Sequence, residues 1–492
     1  MASGSMARRA FLGVDCGTQS TKVLLVDADS ETVLGAGRAA HDLIERLDGT
    51  REQSPQWWLD ALTAAARDAL RAAGSSVEVA GIGVSGQQHG LVCLDETDRA
   101  VRPAKLWNDT TTAPECDVLT ERVGGLDNAL RLTGNAFLPG YTAPKVLWLK
   151  EHEPDAYART RRMCLPHDFL NLWLTGAFVA EAGDASGTAY FDARQRQYCA
   201  QVLNVLDEER DWASSLPPIV PSLSVVGGVR RPVAEALGVA VDTPVSGGGG
   251  DNMMAAIGVG AVSEGPVVLS LGTSGTGFAY ASQPAVDPLG EAAAFCDSTG
   301  AWLPLVCTLN CTVATDWVRH LFSMNHAQVE AALSASPAGA RGLTFLPHLS
   351  GERTPNLPSG AGLFSGLRVE HGPTDLVRAV VEGVTYGLKY AVDALGRSGV
   401  KPTQLTLVGG GAASDAWAQL CADVFQLPVV RPPETEAAAL GGARQARWAV
   451  DGVPVQAGTH SGVTFEPRPS AALESGLQRA DYLRDLARQS GL

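Results

Sequence analysis

The stretch Phe11–Lys22, FLGVDCGTQSTK, constrains this chain more than any other. An apolar strand ends in a carboxylate, a Gly-Thr turn follows, and a second strand, Val23-Leu24-Leu25-Val26, returns. A carboxylate at the end of a buried strand is costly unless it meets a cation. Asp15 therefore points to a metal–nucleotide site, with Gly17 and Thr18 offering backbone N–H groups and a hydroxyl to phosphate. An ordinary hairpin with a tight turn is the competing explanation. Val267–Phe278, VVLSLGTSGTGF, repeats the strand, Gly-Thr turn and strand, now with Gly272 and Thr273 at the turn. Two such turns predict two related half-domains gripping one nucleotide.

At 492 residues the chain exceeds one ordinary core, and about two to four domains fit the length. The formal net charge of −15 argues against nucleic acid or an anionic membrane as a general partner. No apolar run reaches the roughly 18 residues of a membrane span. The N-terminal MASGSMARR lacks the apolar core of a signal peptide, and Met6 reads as the natural start behind a five-residue expression remnant. The nine cysteines form no framework. Cys307 and Cys311 are the closest pair but have no second cluster to complete a zinc site, so reduced thiols in a cytoplasmic protein are expected.

Strand-like and helix-like segments alternate throughout, which predicts an α/β architecture. Pro55–Ala73 reads as a helix with Ser54 as cap and Pro55 at its first position. Val77–Val84 and Leu91–Leu94 read as strands around the turn Gly86-Gln87-Gln88-His89-Gly90. The glycine-rich region Gly258–Gly260 reads as a crossover and hinge. We therefore expect a first domain over 11–260, a second over 261–450, and a tail with a terminal helix over 451–492.

Gly81–Gly86 matches GxGxxG, yet no helix opens inside it, which argues against dinucleotide binding. No GxxxxGK[ST] occurs. The best catalytic candidate is Gly247-Gly248-Gly249-Gly250-Asp251-Asn252, where a strand delivers a glycine-lined turn ending in a carboxylate. Such a turn lets substrate approach the backbone, and Asp251 can take a proton from an alcohol; it can equally cap the helix Met253–Val259. The turn Gly86–Gly90 suits polyol recognition, or is a surface hairpin with a hydrogen-bonded His. Trp107-Asn108-Asp109 offers an aromatic face beside polar groups, or core and cap. Gly409, Gly410 and Gly411 lie between a strand and a helix capped by Ser414, where a base or ribose can rest on the backbone and phosphate is favoured nearby; a plain tight turn is the alternative.

Together these residues resemble the FGGY carbohydrate kinases of the actin–hexokinase–Hsp70 superfamily, in the family's order from about Phe11 to Val450. Both family signatures are present, GYTAPKVLWLKEH at Gly140–His152 and GLFSGLRVEHGPTDLVRAVVE at Gly362–Glu382. Five further words are similar to the branch acting on D-xylulose: Glu52–Trp58, Gly86–Gly90, Leu106–Asp109, Pro166–Asp168 and Leu349–Pro355. Many members of that branch carry Met at the position of Gln88, a departure that leaves room for another ketose.

The resemblance implies two actin-like (ribonuclease H-like) α/β ATPase domains with a cleft between them. It implies sugar bound mainly to the first domain and ATP to the second. In that reading Asp251 is general base on the sugar hydroxyl and Asp15 organises Mg²⁺. Gly17, Thr18, Gly272 and Thr273 hold the phosphates, and Gly409, Gly410 and Gly411 carry the adenosine. Gln88, His89 and Asn252 position the sugar, with Trp107 and Asp109 as further contacts. The implied partners are a small ketose and ATP, with a homodimer as the family's assembly. D-ribulose and L-xylulose are alternative substrates. A non-catalytic regulator on the same fold is a second class, and the presence of both Asp15 and Asp251 speaks against it.

Overall fold

The strand Arg8–Cys16 is buried from Ala10 onward and lies at the heart of the first sheet. The computed structural model describes residues 7–490 apart from 75, 434–435 and 459–461, so the Met6 boundary lies outside the described residues. Arg8–Cys16 pairs antiparallel with Ser20–Asp27 and parallel with Val77–Gly86. The path across the sheet runs Val225–Gly228, Pro244–Ser246, Val77–Gly86, Arg8–Cys16, Ser20–Asp27, Val33–Ala40. The short strand Gly249–Gly250 joins by pairing with Ser85 and Gly86.

The second sheet has the same plan. Its path runs Leu305–Thr308, Gly275–Ala279, Pro266–Leu271, Gln404–Val408, Val429–Arg431, Val463–Phe465. In both, an antiparallel three-strand meander is extended by a parallel strand on the far side of its first member. The repeated Gly-Thr turn in the sequence marks this duplication, because each turn closes the first hairpin of a meander. Helix Pro55–Ala73 buries Trp58, Leu59 and Leu62 against the first sheet. Helix Pro373–Arg397 buries Val377, Val380, Val384 and Leu388 in the core of the second half.

Helix Ala437–Asp451 follows the second half in the chain yet packs on the first sheet, where Ala439, Leu440, Ala443 and Ala446 share a core with Phe11, Leu24 and Val26. Backbones meet there. A Cβ on Gly13 would overlap the carbonyl of Ala439, and one on Gly83 that of Gly442. Gln445 on this helix is fully buried. Its side-chain oxygen accepts from the Ser246 hydroxyl (2.8 Å) and Gly248 N–H (2.9 Å), and its amide donates to the Gly248 carbonyl (2.9 Å). Arg444 and Arg447 pair with Glu31 at 2.8 and 2.7 Å. An element of the second half thus fixes the glycine turn that delivers Asp251.

Several local expectations change. Ser54 occupies the cap position of its helix but its hydroxyl makes no cap bond; Pro55, which has no N–H to satisfy, starts the helix. The segment Val92–Leu94 does not form a hairpin with Val77–Gly86; it pairs with Arg162–Cys164, which makes Gly86–Gly90 a buried crossing turn instead of a surface hairpin. A Cβ on Gly258 would overlap the carbonyl of Ala437, so this glycine has a packing role: it allows two helices to touch. All nine cysteines are free thiols. Among the described residues no helix is long and apolar enough to cross a membrane.

Candidate active site

The last turn of the first strand supplies the acid group. Asp15 sits opposite Lys22 and Ser85 in the sheet, buried, with the Ser85 hydroxyl 3.4 Å from Oδ1. Lys22 is drawn towards Glu436 (2.6 Å) and stays 3.9 Å from Asp15. Burial raises the Asp15 carboxyl to about 6, against the lowering pull of Lys22. A carboxylate held this way is incompletely neutralised and suits a cation.

Asp251 enters from the other side. It is the first residue of helix Asp251–Gly258, with Gly250 at the cap position, so it does not cap the helix as one sequence reading allowed. Its Oδ1 accepts from the backbone N–H of Asn252 (2.8 Å) and from Asn252 Nδ2 (2.9 Å). Burial raises the carboxyl to about 7, helped by the charges of Asp15 and Asp184. The turn behind it needs glycine at 248, where φ is +75°.

Asn252 is the junction. Its Nδ2 also donates to Gln88 Oε1 (2.8 Å), and Thr276 of the second half donates to its Oδ1 (3.4 Å). The Gln88 Nε2 group is buried with no partner among the described residues, an unused donor beside the candidate base. His89 follows with φ +66°, its ring edge-on to Tyr141 and tilted against Phe295. Burial, then the charges of Lys145 and Arg353, hold this imidazole well below its usual range, so it is neutral.

The turn at Gly17–Thr18 is fixed from the first half. The Trp107 indole donates to Thr18 Oγ1 (2.9 Å), and Thr18 donates to Gln87 Oε1 (3.3 Å). Trp107 therefore touches the phosphate-type turn, not merely the core. Asp109 does not face the cleft. It is fully buried and its oxygens are used internally, by Lys105 (3.0 Å), Arg51 N–H (2.9 Å) and Thr111 N–H (3.0 Å). Despite the cost of burial, the bonds from the Thr111 hydroxyl, the Arg51 N–H and Lys105 hold its carboxyl below the usual range. It is a clamp in the fold.

On the second half, Gly272 is half-buried and Thr273 exposed at the hairpin mouth. Their carbonyls accept from Thr312 N–H (2.9 Å) and Cys311 N–H (3.2 Å), which anchors the turn to the start of helix Thr312–Leu321. Gly409 (φ +86°) and Gly411 pack on Leu271, one residue before that turn, and Gly410 has open space where a side chain would be. The glycine triplet and the second Gly-Thr turn thus lie at the ends of adjacent parallel strands. Ser414 caps the following helix through Trp417 N–H (3.0 Å), as its sequence predicts.

Two contributors had no sequence signal. Asp184 is fully buried, bonded to His167 Nδ1 at 2.6 Å, and its Oδ1 lies 3.1 Å from where a Cβ on Gly250 would be. Thr276 sits mid-strand and is recruited only because the two halves face each other.

Residues 10–258 match the N-terminal domain of the FGGY family of carbohydrate kinases, and residues 267–450 match its C-terminal domain. The protein belongs to this family and is a carbohydrate kinase, an enzyme of two mixed α/β domains acting with ATP on a sugar. Among its relatives, the xylulose kinase of Haemophilus influenzae is 43% identical over 445 residues, 89% of this chain and 90% of that protein. The xylulose kinase of Streptomyces rubiginosus is 40% identical, covering 90% and 88%. Among solved structures, a xyloylose kinase from Brucella ovis superposes with a TM-score of 0.91 at 33% identity, covering 98% of this chain and 99% of that one.

Proposed function

We infer that the protein transfers the γ-phosphate of ATP to the terminal hydroxyl of D-xylulose, giving D-xylulose 5-phosphate. The observation that carries this reading is the meeting of Asp251–Asn252 with Gln88 of the first half and Thr276 of the second. The 43% identity to a xylulose kinase supports the choice of sugar. In this reading Gln88 Nε2 and His89 orient the ketose, and Asp251, poised near neutrality, takes the proton as the hydroxyl attacks phosphorus in line. Phosphoryl transfer needs positioning and charge neutralisation more than covalent chemistry. Gly17, Thr18, Gly272 and Thr273 line the phosphate path, and Gly409, Gly410 and Gly411 take the adenosine side. Asp15 would hold the divalent ion, for which we take Mg²⁺; its incompletely paired carboxylate fits that role. When bound, such an ion neutralises phosphate charge. A cytoplasmic location and a homodimer belong to the same reading.

The test is ADP release with Mg-ATP across D-xylulose, L-xylulose, D-ribulose, L-ribulose, glycerol and gluconate. A kcat/KM highest for D-xylulose is the expected result. A higher value for any other sugar would overturn the substrate assignment while leaving the kinase class intact.

A further inference from the structure

Arg353 comes from the second half, in the segment Leu349–Pro355, yet its guanidinium reaches the sugar side of the first. Its Nη2 lies 3.1 Å from where a Cβ on Gly140 would be, beside the carbonyl of Trp107, so the glycine leaves room for the guanidinium. The main chain at this point is held by buried Glu352, which accepts from Arg353 N–H (2.8 Å), Leu309 N–H (2.6 Å) and Asn310 Nδ2 (3.1 Å). Among the described residues no carboxylate pairs with the guanidinium; its side chain meets the Cys307 thiol, a weak acceptor. Glu291, which lines the same space, is already taken by Arg397 (2.6 Å) and Tyr390 (2.8 Å). The guanidinium borders a cavity of about 30 Å³ between His89, Asn135 and Tyr141 of the first half and Phe295 and Cys307 of the second. That volume holds about one hydroxyl-sized group. His89 lines the same cavity, with its Nδ1 lying against Gly187 on the far side. Gln88, which accepts from Asn252 beside Asp251, is followed in the chain by His89, which lines this cavity.

We propose that Arg353 is a specificity-determining sugar contact: it donates to the C2 carbonyl oxygen of the ketose, next to the end remote from the transferred phosphate, from the half that otherwise serves the nucleotide. The assignment rests on the function inferred above. A guanidinium only donates, and the carbonyl oxygen of an open-chain ketose only accepts, so the two match without reorientation. A pentitol brings a hydroxyl hydrogen to that position, which must turn away.

Arg353→Ala and Arg353→Lys are compared with the wild type in steady-state kinetics. In Arg353→Ala the KM for D-xylulose rises about 30-fold or more, as expected for a lost hydrogen bond to a charged donor, while the KM for ATP changes less than about 3-fold. Its preference for D-xylulose over xylitol falls about 10-fold, Arg353→Lys falls between, and added guanidinium ion restores part of the loss. A sugar KM within about 3-fold of wild type, or an equal rise for ATP, overturns the proposal, since a mere interface strut has no reason to separate the substrates. If Arg353→Ala does not fold, Arg353→Lys decides: an unchanged sugar KM and an unchanged xylitol ratio refute the contact. Calorimetric binding of the sugars without ATP separates the two layers. A wild type that binds and phosphorylates another sugar overturns D-xylulose alone, and binding of that sugar lost in Arg353→Ala keeps the contact. Equal binding by both proteins refutes it.

Discussion

Asp251→Asn should slow catalysis and stabilise the fold at the same time. The substitution is nearly isosteric, and an Asn oxygen can still accept from the Asn252 backbone N–H that Asp251 Oδ1 holds at 2.8 Å. A positioned general base contributes about 10² to 10⁴ in rate, or about 3–5 kcal/mol, so kcat should fall at least about 10²-fold. The stability effect has the opposite sign. The Asp251 carboxyl is raised from 3.8 to about 7 by burial and then by Asp15 and Asp184. An acid whose folded value exceeds its unfolded one is charged at a cost in the folded state above that folded value. Three units correspond to about 4 kcal/mol as an upper bound; the side chain is half-buried, so about 2 kcal/mol is a fair figure after solvent screening. The variant should therefore melt a few degrees higher at pH 8 without sugar, nucleotide or metal. The advantage should shrink as pH falls from 7 towards 4, where Asp251 becomes protonated in both states. Calorimetry against pH, with turnover at pH 8, tests both. Near wild-type kcat would remove Asp251 from the base role, and an unchanged or lower melting temperature at pH 8 would refute the electrostatic account.

Three further outcomes follow from the same geometry. Asp15→Ala should raise the Mg²⁺ concentration for half-maximal turnover about 10-fold or more, since a charged ligand is lost; an unchanged Mg²⁺ dependence would remove Asp15 from that role. Gly83→Ala forces a methyl against the carbonyl of Gly442 and should cost about 1–3 kcal/mol in urea unfolding, with no loss if the helix can shift freely. His167→Leu deprives the Asp184 carboxyl, which burial holds well above its usual range, of its partner at 2.6 Å and should destabilise by about 1–3 kcal/mol, the cost of a buried polar group left unsatisfied; no change in urea unfolding would refute a structural role for this bond.

The strand–turn–strand repeat at Phe11–Lys22 and Val267–Phe278 made the duplicated α/β plan legible, because the same local pattern recurs once in each half, where a single Gly-Thr turn would be no more than an ordinary hairpin. The carboxylates Asp15 and Asp251 stood out as candidates for a related reason: each ends an apolar strand or a glycine turn, where an acidic group is costly unless it is paired or caps a helix. The glycine triplet at 409–411 and the Ser414 cap were equally local. Gln88 and Asp109 were not separable by sequence, since both are polar residues in short turns; only the fold leaves Gln88 Nε2 unpaired and surrounds Asp109 with Lys105, Arg51 and Thr111. The crossing of helix Ala437–Asp451 onto the first sheet was likewise hidden, because small residues such as Gly13 and Gly83 do not announce what they touch. Asp184 and Thr276 met the candidate site through contacts spanning the chain, each from its own element. Sequence determines which residues can do chemistry where local backbone demands are strong; the tertiary structure alone decides which are left unpaired and face one another, since that depends on every partner the fold supplies.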